Sequence, residues 1–186
     1  MIITGISGSA RRASYNTALL HAAAGLAPAG VDIRPLTIAG IPLYDGDKEA
    51  ESGIPAPVAA MKDAIAAADG LLLVTPEYNN SIPGPFKNAI DWCSRPGADI
   101  PRVFGGKPVA LIGASPGGFG TVLAQTAWLP VLRTLGCELW TGGRLMVASA
   151  SKVFDDSGTL VDPAVAERLR GFLRSFAEHV RAHAIR

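Results

Sequence analysis

Residues 70–92 read GLLLVTPEYNNSIPGPFKNAIDW. The first five are apolar without interruption, as in a strand covered on both faces. An acid, a phenol, two amides and a hydroxyl follow between Pro76 and Pro83, and an apolar-periodic stretch then begins at Phe86. Such a passage from buried strand to helix across a polar loop is the unit of a parallel α/β fold, and ligands gather at that end of the sheet.

The same unit recurs on either side. Ile- and Val-rich runs at 2–6, 31–38, 70–75 and 109–114, with a weaker one at 138–147, alternate with segments of helical period at 16–26, 56–68, 85–93, 119–135 and 165–184. Five strand–helix alternations predict a doubly wound, five-stranded parallel sheet in a three-layer α/β/α sandwich. No repeat or linker interrupts it, so residues 1–186 are expected to form a single domain. Residues 39–57, rich in Gly, Pro and acidic side chains, predict a long surface loop.

Composition narrows the function classes. With 48% hydrophobic residues the chain can bury a large core, while 18% charged residues and a net charge of +1 argue against nucleic-acid binding. Residues 1–14, MIITGISGSARRAS, lack the charge-then-apolar ordering of a secretory leader, and no apolar run reaches about 18 residues. A cytoplasmic protein with no membrane contact is the expectation. Cys93 and Cys137 stand far apart in apolar company and read as buried thiols, and no metal-ligand spacing occurs.

Three loops should meet at the carboxyl edge of the sheet. In GISGSARRASYN (5–16), glycines allow a tight turn, and Ser9, Ser14 and Asn16 stand beside Arg11 and Arg12 ahead of a helix. Backbone N–H groups at a helix start, with hydroxyls and a guanidinium, suit a phosphate dianion; helix capping by Ser14 or Asn16 is the other reading. The loop matches neither G-x-x-x-x-G-K-[ST] nor G-x-G-x-x-G, and the second strand ends in Leu36-Thr37-Ile38 without an acid for an adenosine ribose. A monophosphate fits better than a pyrophosphate. In the second loop, Tyr78 would lie against a flat heteroaromatic ring and Asn79 bond its edge, on a backbone restricted by Pro76 and Pro83; an ordinary strand-to-helix turn with Pro85 in the helix's first turn is the other reading. The third loop, GASPGGFG (113–120), lets a ligand approach the backbone. It also matches G-x-S-x-G, but an oxyanion hole there needs the N–H after the serine, and Pro116 has none. His179 and His183 read as exposed positions on a charged helix.

These segments, GSARRASYN at 8–16, TPEYNNSIPGPFKNAIDW at 75–92 and the glycine-rich 113–120, resemble the NAD(P)H-dependent FMN reductases, which include bacterial quinone and chromate reductases of flavodoxin-like fold. The resemblance spans essentially the whole chain. It implies that the first loop holds the FMN phosphate through Ser9, Arg11, Ser14, Tyr15 and Asn16. It implies too that Pro76, Glu77, Tyr78, Asn79 and Ser81 border the isoalloxazine, with Ser115, Gly117 and Gly118 closing the other side. Where relatives often carry a Gly-Gly pair, this chain has Gly120-Thr121. The implied reaction is ping-pong: NADPH or NADH delivers electrons through FMN to a quinone, free flavin or similar acceptor, with no catalytic side chain and no metal. A homodimer or homotetramer is implied as well. Independently, the 119–135 helix spreads Val122, Leu123, Trp128, Leu129, Val131, Leu132 and Leu135 around most of its circumference, more than one sheet face can cover. The competing class is a flavodoxin-type electron carrier; such carriers are typically strongly acidic, whereas this chain has a pI near 7.8.

Overall fold

A computed structural model describes residues 1–183. The strands are β1 (Ile2–Ser7), β2 (Asp32–Thr37), β3 (Gly70–Val74), β4 (Pro108–Ala114), β5 (Glu138–Leu139) and β6 (Leu145–Val147). The helices are α1 (Tyr15–Gly25), α2 (Gly46–Ser52), α3 (Ala56–Ala66), α4 (Gly84–Cys93), α5 (Ile100–Val103), α6 (Val122–Thr134), α7 (Ala150–Val153) and α8 (Pro163–His183). Every ladder is parallel, in the order β2-β1-β3-β4-β5 with β6 also on β4, which is the doubly wound flavodoxin-like arrangement.

Side chains alternate across the sheet. Leu72 and Val74 of β3 face the cluster built with α1 and α8, while Leu71 and Leu73 face the one built with α3, α4 and α6. β3 is buried along its whole length, which explains its unbroken apolar run. β1 connects through α1 on one face and β2 connects through α3 on the other, so the connections diverge beside β1 and β3. Their carboxyl ends, Ser7 and Val74, are register partners, and Val74 pairs in turn with Ile112 of β4.

Two expectations are corrected. The fifth strand is broken: Glu138–Leu139 pairs with the start of β4 and Leu145–Val147 with its end. Between them the Trp140 ring turns into α8, edge-on to Phe172 at 5.0 Å, and any Cβ at Gly142 or Gly143 would fall within 2.8 Å of that ring. An uninterrupted strand would have no room for the indole. Residues 39–57 also hold a helix, α2, capped by the Asp45 carboxylate and carrying Asp47 and Glu49 in its first turn. Apolar periodicity could not reveal it, because α2 buries none of its residues. The segment is pinned to α4 by Trp92 Nε1 and Asn88 Nδ2, which both donate to the Pro42 carbonyl at 2.9 and 2.8 Å.

Gly113 shows how tightly this edge is packed. A Cβ there would lie 2.1 Å from Thr121 Oγ1 and 2.3 Å from the Thr75 carbonyl, both fully buried. Gly113→Ala is expected to lower stability by about 1–3 kcal/mol or more through overpacking, read as a lower urea midpoint at unchanged m-value.

Candidate functional site

The first loop is held from below by Gly8 N–H donating to the Val74 carbonyl and by a Ser7 Oγ–Thr17 Oγ1 bond of 2.8 Å. Ser14 has the extended backbone of an N-cap, and its Oγ accepts from the N–H groups of Asn16 and Thr17. Ser9 Oγ accepts from Arg11 N–H at 3.2 Å. Both hydroxyls are buried, and each keeps its proton to donate. No hydrogen bond among the described residues takes up the N–H groups of Ala10, Arg12, Ala13 or Ser14. Free amides and hydroxyl donors at a helix start are the donor set that a phosphate monoester requires. The Arg11 guanidinium donates to the Ala13 carbonyl and sits 5.9 Å over the Tyr15 ring, so it flanks this cradle from outside. Tyr15 in turn stacks on Phe154 at 6.0 Å.

The Asn16 side chain is committed elsewhere. It donates through Nδ2 to the Ala114 carbonyl and accepts through Oδ1 from the Ala114 N–H, both at 2.9 Å. The phosphate loop is thereby joined to the end of β4, where the third loop begins.

Glu77 is similarly engaged. Its Oε2 accepts from the N–H groups of Leu123 and Ala124 at 2.9 Å each, capping α6, whose own N-cap residue Thr121 supplies no side-chain bond. Tyr78 and Ser81 exchange both backbone hydrogen bonds around Asn79 and Asn80, which adopt φ of 49° and 62°. That is a two-residue hairpin of the primed type, which favours asparagine. Tyr78 and Ser81 are exposed at its neck, Asn79 at its tip, and Pro76 is buried at its root. Thr75, buried beneath, donates to the Pro76 carbonyl and accepts from Trp128 Nε1.

In the third loop Ser115 Oγ accepts from Gly117 N–H at 3.1 Å, while the Ser115 and Gly117 carbonyls take the N–H groups of Ala150 and Ser149. Gly117 and Gly118 are exposed, and nothing lies within 4 Å of a Cβ built at Gly118. The hydrolase alternative loses its base: His179 and His183 lie on Glu138, which pairs at the opposite end of β4. They are half-buried there, not exposed as their helical setting suggests. Burial pushes the Cys93 and Cys137 thiols up to about 12, so neither is a thiolate nucleophile at neutral pH.

The structure thus brings the three loops to one edge, and it adds contributors that sequence reasoning passed over. Thr17, Thr75, Thr121 and Trp128 form, together with Ser7 of the first loop, the polar layer under the loops, and Ser149-Ala150 after β6 buttresses the third. The only advance signal for the last was position, just beyond an apolar run at the same sheet edge.

A family model described as NADPH-dependent FMN reductase matches residues 1–152. The chain is 44% identical over 179 residues to an NAD(P)H-dependent FMN reductase of Pseudomonas aeruginosa, covering 96% of this chain and 95% of that one. It is 41% identical over 176 residues to a 2-hydroxy-1,4-benzoquinone reductase of a Burkholderia species, covering 95% and 94%. Among solved structures, FerB of Paracoccus denitrificans, described as a flavoenzyme NAD(P)H:(acceptor) oxidoreductase, superposes with a TM-score of 0.86 at 33% identity over 98% of both chains.

Asn16→Ala is expected to destabilise the fold by about 2–5 kcal/mol, because it strands a buried donor and a buried acceptor on Ala114. Urea unfolding measures this directly. A loss below about 0.5 kcal/mol, within the range of ordinary surface substitutions, would mean that water replaces the amide there.

Proposed function

The chain belongs to the NADPH-dependent FMN reductase family, and from that premise we propose that its three loops hold FMN at the carboxyl edge of the sheet and expose the ring to NAD(P)H and to an electron acceptor. It is an FMN-dependent oxidoreductase of the NAD(P)H:quinone and flavin reductase class. The bound flavin supplies the redox chemistry, accepting hydride and passing electrons on. The protein supplies binding, orientation and shape.

The observation that carries the placement is the donor set of the first loop. Ser9 and Ser14 hydroxyls with the free amides of Ala10, Arg12, Ala13 and Ser14 receive the phosphate, and Arg11 adds charge through its remaining guanidinium N–H donors. Tyr15 holds Arg11 by its ring, and Asn16 positions the loop against β4. Pro76, Tyr78, Asn79 and Ser81 border the ring on one side, with Glu77 fixing that loop to α6; Ser115, Gly117 and Gly118 border it on the other. Because the ring chemistry requires no protein acid or nucleophile, no catalytic side chain is assigned. Acceptors are quinones and free flavins, as the relatives' activities suggest. A flavodoxin-type carrier without its own NAD(P)H oxidation is the displaced alternative. None of the described helices is long and apolar enough to cross a membrane; a cytoplasmic location is part of the proposal.

A homodimer, or a tetramer built from dimers, completes the proposal. α6 buries Trp128 and Leu132 against the sheet but leaves Leu123 and Leu129 41–45% exposed, beside Phe119 at 85%. Exposed apolar side chains of this size suit a second copy of this apolar, nearly neutral chain. Light scattering at micromolar concentration is expected to give the dimer mass or a multiple, and Leu123→Asp to shift it toward monomer; a monomeric wild type would sink the interface.

The purified protein is expected to release FMN, not FAD, on heating, and to oxidise NAD(P)H steadily with a quinone. Arg11→Ala should lower FMN affinity about 10- to 150-fold, the loss of a charge-assisted hydrogen bond, while riboflavin, lacking the phosphate, binds both proteins alike. Parallel weakening of both flavins would instead make Arg11 a fold residue.

A further inference from the structure

Beyond the ring seat, a cleft of 880 Å³ runs from the phosphate loop down α1, between that helix and the turn after α7. It shares only residues 11–15 with the proposed flavin site and includes none of the ring-seat residues of the second and third loops. Its volume is that of a small-molecule site. Its chemistry is divided. Arg11 and Arg12 stand at the mouth, half-buried Tyr15 lines the wall with buried Phe154 stacked behind it, and Asp155 and Asp156 form an acidic lip.

Each part excludes some ligands. Carboxylates beside the arginines disfavour a polyanion such as nucleic acid or an anionic membrane. An aromatic floor with small residues of α1, Ala18 and Ala22, suits a flat heterocycle. The lip accepts hydrogen bonds, as an exocyclic amine would require. Asp155 is held by the N–H and hydroxyl of Ser157 and by Thr159 N–H, and the Ser157 hydroxyl keeps its carboxyl below the usual range, so it remains an acceptor at neutral pH. Arg12 is exposed and enters no ion pair among the described residues, whereas Arg170 at the far end is paired with Glu167. A phosphate at the mouth with a purine behind it satisfies all of these.

Resting on the oxidoreductase reading above, we propose that this cleft takes the adenosine end of the nicotinamide co-substrate, with the 2′-phosphate of NADPH on Arg12 and the adenine between the Tyr15–Phe154 rings and the acidic lip. The cleft shares residues 11–15 with the proposed phosphate seat, and from there the proposed dinucleotide passes toward the ring. Arg12 is thereby a specificity residue that favours NADPH over NADH.

The test combines kinetics with binding on the FMN-loaded protein. In Arg12→Ala the KM for NADPH is expected to rise about tenfold or more relative to that for NADH, the effect of one lost hydrogen bond to a charged group. Calorimetric titration with adenosine 2′,5′-bisphosphate, which carries no nicotinamide, should show binding to wild type and a similar weakening in the variant. Arg174→Ala, on the exposed side of α8 and outside the cleft, should leave the KM ratio where it was. The proposal is overturned if the two KM values move together, if the bisphosphate fails to bind, or if it releases FMN, which would assign the mouth to the flavin. A wild-type protein that oxidises neither nucleotide sinks the oxidoreductase reading itself, whereas oxidation of both without dependence on Arg12 sinks only the cleft.

Discussion

The amide of Asn16 closes two hydrogen bonds with the backbone of Ala114, across 98 positions of chain. Both groups are buried, so water cannot substitute freely, and neither partner can leave without stranding the other. The bond pair fixes the start of α1, and with it the first loop, against the end of β4. The third loop begins at the next residue, so two of the three loops take their position from that junction.

The second loop is set by an equivalent device of opposite charge. α6 begins without a side-chain cap of its own, and the Glu77 carboxylate supplies it from another loop. A negative charge at a helix start is favourable, and here it also ties the second loop to the helix that leaves Leu123 and Leu129 exposed. The hairpin beyond Glu77 then has its geometry decided by Asn79 and Asn80 in the left-handed region. Pre-set loops on rigid elements suit an enzyme whose redox chemistry resides in a bound group, because the protein's contribution is orientation.

The site's electrostatics are correspondingly simple. Cys93 is buried and Cys137 half-buried, both neutral thiols, and the two histidines of α8 are engaged with Glu138 far from the loops. Uncommitted donors concentrate at the first loop, and cationic side chains beside them divide between its rim and the adjoining cleft. Donors of this kind at a helix start suit an anion.

The strands, their parallel order and the three loops at one edge were legible in the sequence, because burial on both faces writes continuous apolar runs and the loops break them with dense polar residues. The residues at 8–16 and 75–92 pointed to a phosphate and to a flat ring for the same local reason, since hydroxyls, glycines and prolines act on neighbouring backbone; the flavin itself was what the family resemblance implied. What only the tertiary structure decided was partnership. Asn16, Glu77 and Asn79 read as ligand-facing polar residues, yet folding commits the first two side chains to backbone groups distant in sequence and gives the third to a turn. The break in the fifth strand depends on where the Trp140 indole finds room, and α2 carries no apolar face to betray it. Hydropathy records whether a side chain is buried. It does not record against what, since a hydrogen bond's partner is chosen by the packing of strands that the chain reaches only after folding.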